Sequence, residues 1–185
     1  MGVEERMADR CNTIRLYSFQ TDVVYQVLKR DGVCYSKEEY VRKKYKESAK
    51  VFINAYGWFV KEAQHIVPKP EGAEYPYWAF TDLYNVDQTG DGHVLTLDVP
   101  IGEAILFDMF DWTKIMQMHY IGENESEEAT FSEELKNMGM NEFQIMTSNF
   151  YPEQKARIQE SWKRLFGHQQ AIEAGDNSGV HSVQA

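Results

Sequence analysis

The chain has 185 residues, 43% of them apolar and 14% aromatic, which is enough to bury a real core. That composition excludes a wholly disordered chain, a collagen-like repeat and a disulfide scaffold. Nineteen basic against 29 acidic residues leave a net charge of −10, and because non-specific nucleic-acid binding works by neutralising phosphates, this balance argues against a nucleic-acid partner.

No run approaches the roughly 18 apolar residues of a membrane span. The polar start Met1–Arg10 lacks the apolar stretch of a secretory signal. Met1-Gly2 opens like a myristoylation site, but Arg6 stands where Ser or Thr is needed. The expected setting is therefore cytoplasmic, with no membrane partner and with Cys11 and Cys34 as thiols rather than a bridge. Residues 1–12 are polar and predict a frayed N-terminus.

Thr13–Phe19 alternates and reads as a strand, with Ile14, Leu16 and Ser18 on one face and Arg15, Tyr17 and Phe19 on the other. Thr21 then offers an N-cap, Val23, Val24, Val27 and Leu28 recur at helical spacing, and Gly32 stops the helix. Val33–Tyr35 reads as a short strand. Ser36 with Glu39 resembles a capping box, and the helical pattern after it runs to about residue 66 with a break near residue 48. Pro68–Gly72 is a loop.

Tyr75–Leu83 and Val94–Val99 read as two strands of an antiparallel hairpin around a turn at Val86–Gly92. Ala104–Phe107 reads as a third strand and Asp111–Tyr120 as a short helix capped by Asp111. The acidic stretch 122–134 predicts a mobile loop leading into a short helix. Phe143–Thr147 reads as a strand, and Pro152–Phe166 as a helix with Ile158, Trp162, Leu165 and Phe166 inward. Residues 167–185 lack periodicity and aromatics and predict a disordered tail. Helices at both ends of a hairpin-rich centre imply an α+β fold. The expected form is one compact domain over 13–166, with a mainly antiparallel central sheet flanked by N-terminal and C-terminal helices.

Two local features carry candidate chemistry. Asp87-Gln-Thr89-Gly-Asp91-Gly92, with Asp98 at position twelve, follows the spacing of a calcium loop, but it lies between strands rather than helices. A turn is the stronger reading, and no metal site is assigned. The aromatic run Tyr75-Pro-Tyr77-Trp78-Ala-Phe80 is either a core strand or a stacking wall for a planar ring. Two adjacent faces cannot both be fully buried in a small domain, so some of Tyr75, Tyr77 and Trp78 should line a groove. Asp108 and Asp111 are candidate paired carboxylates or contacts to a ribose hydroxyl, while the alternative for Asp111 is the N-cap of the helix that follows.

Several blocks together resemble an uncharacterised bacterial family, domain of unknown function 3841. They are Arg15-Leu-Tyr-Ser-Phe-Gln20, Tyr25-Gln-Val-Leu28 before Gly32, Tyr75-Pro-Tyr77-Trp78-Ala79-Phe80, Leu95–Pro100, Leu106–Trp112 and Ser161-Trp162. The family name implies no particular activity. The opening strand and helix also resemble, at fold level, ADP-ribosyltransferase-like domains. That likeness implies NAD as a cofactor, Arg15 on its phosphate, Tyr77 or Trp78 as the aromatic wall, and Glu142 beside a late strand as the catalytic carboxylate. The expected function is a binding module for a small molecule or nucleotide, with Arg15, Tyr17, Tyr77, Trp78 and Asp108 around the groove. The alternative is an NAD-using transferase acting through Glu142. The oligomeric state is not legible.

Overall fold

A computed structural model describes residues 13–180 and 182–185. The expected frayed segment 1–12, with Cys11, lies outside the described residues. The first strand, β1 (Thr13–Thr21), is followed directly by α1 (Asp22–Asp31), which ends on Gly32 at φ 74° with its N–H on the Leu28 carbonyl. Helices α2 (Glu38–Tyr45) and α3 (Ala49–Ala63) are separated by a 3₁₀ turn, Lys46–Ser48, where the break near residue 48 was expected. The capping box at Ser36 does not form. Lys37 takes the N-cap position, and the Glu38 amide donates instead to Glu74 Oε2 at 2.8 Å.

Strand β2 (Gly92–Pro100) pairs antiparallel with β1, from Thr13 opposite Pro100 to Thr21 opposite Gly92. The expected hairpin between 75–83 and 94–99 is absent. Residues 75–80 make only isolated bridges: Tyr75 bridges Ser36, and Phe80 meets the free edge of β1, where it and Tyr17 exchange backbone hydrogen bonds of 2.8 and 2.9 Å. Gly92 is required where β2 begins, since a Cβ there would stand 2.4 Å from the Gln20 carbonyl.

Strand β3 (Phe107–Asp108) leads straight into α4 (Met109–Met116), and the cap is Asp108 rather than Asp111: its Oδ1 accepts from the Phe110 amide at 2.9 Å. In the acidic stretch expected as a mobile loop leading into a short helix, the helix takes up nearly all of it, as α5 (Glu125–Asn137). Asn124 caps it, three acids in its first turn suit the helix dipole, and Phe131 and Leu135 anchor it at i, i+4. The expected strand at 143–147 is helix α6 (Glu142–Thr147), opened by a reciprocal capping box between Asn141 and Gln144. Helix α7 (Pro152–Ser161) starts on proline and continues as a 3₁₀ stretch, Trp162–His168.

The tail is ordered where disorder was expected. Helix α8 (Gln169–Glu173) buries Ile172, and β4 (Val183–Gln184) pairs antiparallel with β3. Phe80 bridges both Tyr17 and Gln184, so the two small antiparallel sheets are joined through it. Composition misreads this segment because a polar side chain does the anchoring. Gln169 is buried and its Oε1 accepts from the Leu106 amide at 2.6 Å.

The result is a compact α+β domain. Its main core is aromatic. Trp58 packs edge-on to Trp162 at 5.2 Å, and Phe59, Phe107 and Trp112 pack around Trp78. No helix is long and apolar enough to cross a membrane among the described residues.

Candidate functional site

Strand alternation decides which side of the sheet carries a cavity. Ile14, Leu16 and Ser18 of β1 stand opposite Val99, Leu97 and Leu95 of β2, and these six side chains share the inner face. The end of α3 faces them with Phe59, Val60 and Ala63, and the Val67–Pro70 loop closes one side. Tyr75, Tyr77 and Trp78 form another wall, with Ala104 and Ile105 beside Ala185. Between them lies a cavity of about 320 Å³.

The aromatic wall is graded. Tyr75 is buried, Trp78 half-buried and Tyr77 exposed. Trp78 also belongs to the core, 4.6 Å from Trp112 and 5.4 Å from Tyr56. Tyr77 Oη donates to Cys34 Sγ at 3.1 Å, and Tyr75 Oη donates to Glu38 Oε2 at 3.1 Å. Burial first, and then the Glu38 carboxylate, push the Tyr75 phenol up to about 12. Burial and the Cys34 contact push Tyr77 in the same direction. Both phenols are therefore neutral at physiological pH.

The polar groups at the cavity are already engaged with the chain itself. Ser18 Oγ donates to the Trp78 carbonyl at 2.7 Å and accepts from Gln20 Nε2. Lys69 Nζ donates to the Ala73 carbonyl. The walls thus offer shape, apolar area and stacking faces, with Gln64 and Glu103 as rim polar groups.

The other expected site residues do not join this cavity. Arg15 and Tyr17 alternate with Leu16 and Ser18, so they point from the opposite face. There Arg15 grips its cross-strand partner Asp98, Nε to Oδ1 at 2.8 Å and Nη2 to Oδ2 at 3.2 Å, both side chains being more than half exposed. Asp108 is buried as the α4 cap. Glu142 lies at the start of a helix rather than beside a strand. Its Oε1 accepts from the Tyr120 amide at 3.0 Å, with His119 Nε2 at 3.9 Å from its other oxygen. Arg15, the Tyr77–Trp78 wall and Glu142 therefore do not converge on one site. Nor does the calcium spacing assemble. Asp87 accepts both the amide and the hydroxyl of Thr89, while Asp98 is held by Arg15.

Sequence reasoning missed the contributions of α3 and the Val67–Pro70 loop. Phe59, Val60 and Ala63 carry an ordinary helical apolar stripe, and such a stripe does not distinguish a core from a cavity wall.

No curated protein and no solved structure matches the chain. A family model, domain of unknown function (DUF3841), matches residues 15–185. The match takes in the cavity walls and also the tail that docks on β3, so the family unit extends beyond residue 166, and the chain belongs to the DUF3841 family.

Proposed function

We propose that the protein is a small-molecule-binding module whose ligand is planar and largely apolar and sits in the cavity between α3 and the β1–β2 face. The observation that carries this reading is the cavity itself. About 320 Å³ falls within the range of ligand sites, and its walls are aliphatic and aromatic. Tyr77 stands exposed at the opening and Trp78 lies deeper, so a ring entering the cavity meets aromatic faces in sequence. The phenols beside it are neutral and the Ser18 hydroxyl is committed to the backbone, which favours binding over acid–base catalysis.

The test is a thermal-shift panel of indole and naphthalene derivatives, free nucleobases, NAD and nucleotides, with Val60→Trp as the blocked variant. A ligand at 100 times its Kd stabilises by about 2.7 kcal/mol, or about 5–11 °C for a chain of this size. The flat apolar compounds should shift the wild type, and Val60→Trp should abolish the shift while still melting cooperatively. A panel with no response, or equal response in Val60→Trp, overturns the reading.

A further inference from the structure

Helix α3 has a second working face. Lys50, Asn54, Gly57 and Lys61 follow one another at i, i+4, i+7 and i+11 and form a single stripe along it. Across from the stripe lie Lys155 and Gln159 of α7 and residues 146–149, the end of α6 and the two residues after it. Together these bound a groove of about 490 Å³. The chain as a whole carries −10, but this groove is lined by three lysines and by neither Asp nor Glu.

The groups in it are available. Among the described residues Lys50 and Lys155 have no ion-pair partner, and Lys61 has only Glu62 at 3.9 Å. Lys155 Nζ donates to the Ser148 carbonyl, which holds the ammonium at the groove and leaves it two further donors. The side-chain amides of Asn54 and Gln159 make no hydrogen bond among the described residues.

Gly57 supplies an independent observation. It sits inside a 15-residue helix, where glycine is the least favourable residue apart from proline. A Cβ there would meet nothing within 4 Å, so no neighbour in the chain requires its absence. Its effect is to leave bare backbone on the groove floor, open to close approach from outside.

We propose that this groove binds a small molecule bearing two or more phosphate groups in line, held by Lys50, Lys61 and Lys155 over the Gly57 backbone. Lys50 and Lys61 are eleven residues apart, or about 16 Å along the helix axis, so a single phosphate cannot engage both ends. The volume suits a small molecule. A long nucleic-acid backbone would meet the acidic remainder of the surface and be repelled. The site is separate from the apolar cavity, and neither proposal depends on the other.

Isothermal titration of the full chain with inorganic tripolyphosphate, pyrophosphate and orthophosphate tests it. Affinity should fall in that order and weaken with added salt. Lys61→Gln and Lys155→Gln should each weaken tripolyphosphate binding about fivefold, and Lys43→Gln, on α2, should leave it unchanged. Gly57→Met should raise Tm by about 2–4 °C through helix propensity while weakening binding about tenfold. Absence of tripolyphosphate binding, equal loss in Lys43→Gln, or unchanged affinity in Lys61→Gln and Lys155→Gln overturns the proposal. Tighter binding of single-stranded RNA through the same lysines would overturn the assignment to a small molecule.

Discussion

Gln169 should behave as a structural anchor out of proportion to its place in a polar tail. Its Oε1 accepts from the Leu106 amide at 2.6 Å, and its Nε2 lies 3.3 Å from the Ala104 carbonyl and also donates to Glu173. Leu106 is fully buried, so Gln169→Ala strands a backbone N–H away from water. An orphaned buried donor costs about 1–3 kcal/mol, and the lost packing adds to it. At about 2–4 °C per kcal/mol for this chain length, Tm should fall by roughly 4–10 °C. Hydrogen exchange adds a local readout, because the Leu106 amide should lose protection in the variant even where the fold persists. Glu173→Gln keeps the Leu106 bond and should leave both readouts nearly unchanged. A Gln169→Ala melt within 1 °C of wild type would show that the tail does not hold the 104–108 segment.

Two further outcomes follow from the core and from α4. Trp162→Ala removes a fully buried ring that packs on Trp58 and donates to the His119 carbonyl at 2.6 Å. It should cost about 3–5 kcal/mol, read as the midpoint shift in urea. Burial, with Asp108 second, holds the Asp111 carboxyl above the ordinary carboxylate range. For an acid raised in the folded state, the native form binds more protons, so stability is greatest below the unfolded pKa and declines as pH rises through the folded one. Asp111→Asn should therefore raise Tm at pH 7, with the gain vanishing below about pH 3, where both states are protonated. A gain independent of pH would separate the effect from ionisation.

What the sequence made legible was each element whose period and punctuation agree. The alternation in Thr13–Phe19, the Gly32 stop and the break before Ala49 all hold because local sterics and burial specify them without help. Partner choice was not local. The 94–99 segment is a strand, but its partner is β1, some 80 residues earlier, while the intervening 75–80 stretch touches the other edge of β1 only through Phe80. Phe143–Thr147 was misread because five residues are too few for periodicity to separate a helix from a strand. The informative signal was the Asn141-x-x-Gln144 capping box just before it. The acidic 122–134 stretch was read by its charge, yet Glu128 meets Lys114 at 2.6 Å and Glu127 meets the Tyr120 hydroxyl at 2.6 Å, which turns self-repulsion into attachment.

The candidate site shows the same division. Tyr75, Tyr77 and Trp78, from the aromatic run marked as a wall, all reach the cavity. Arg15 lies on the strand face expected for it, but the cavity opens on the other face, and the reason lies in the packing around β1. An apolar strand face can back either a core or a cavity, and α3 with the Val67–Pro70 loop places the cavity over the Leu16 face. Arg15 must then look outward. Its cross-strand neighbour in the observed register is Asp98, and directly opposed unlike charges are what stabilise such an outward pair. The same Asp98 was the twelfth position of the calcium spacing. One pairing, set by two strands far apart in sequence, therefore engages both the Arg15 guanidinium and the twelfth position of the calcium spacing.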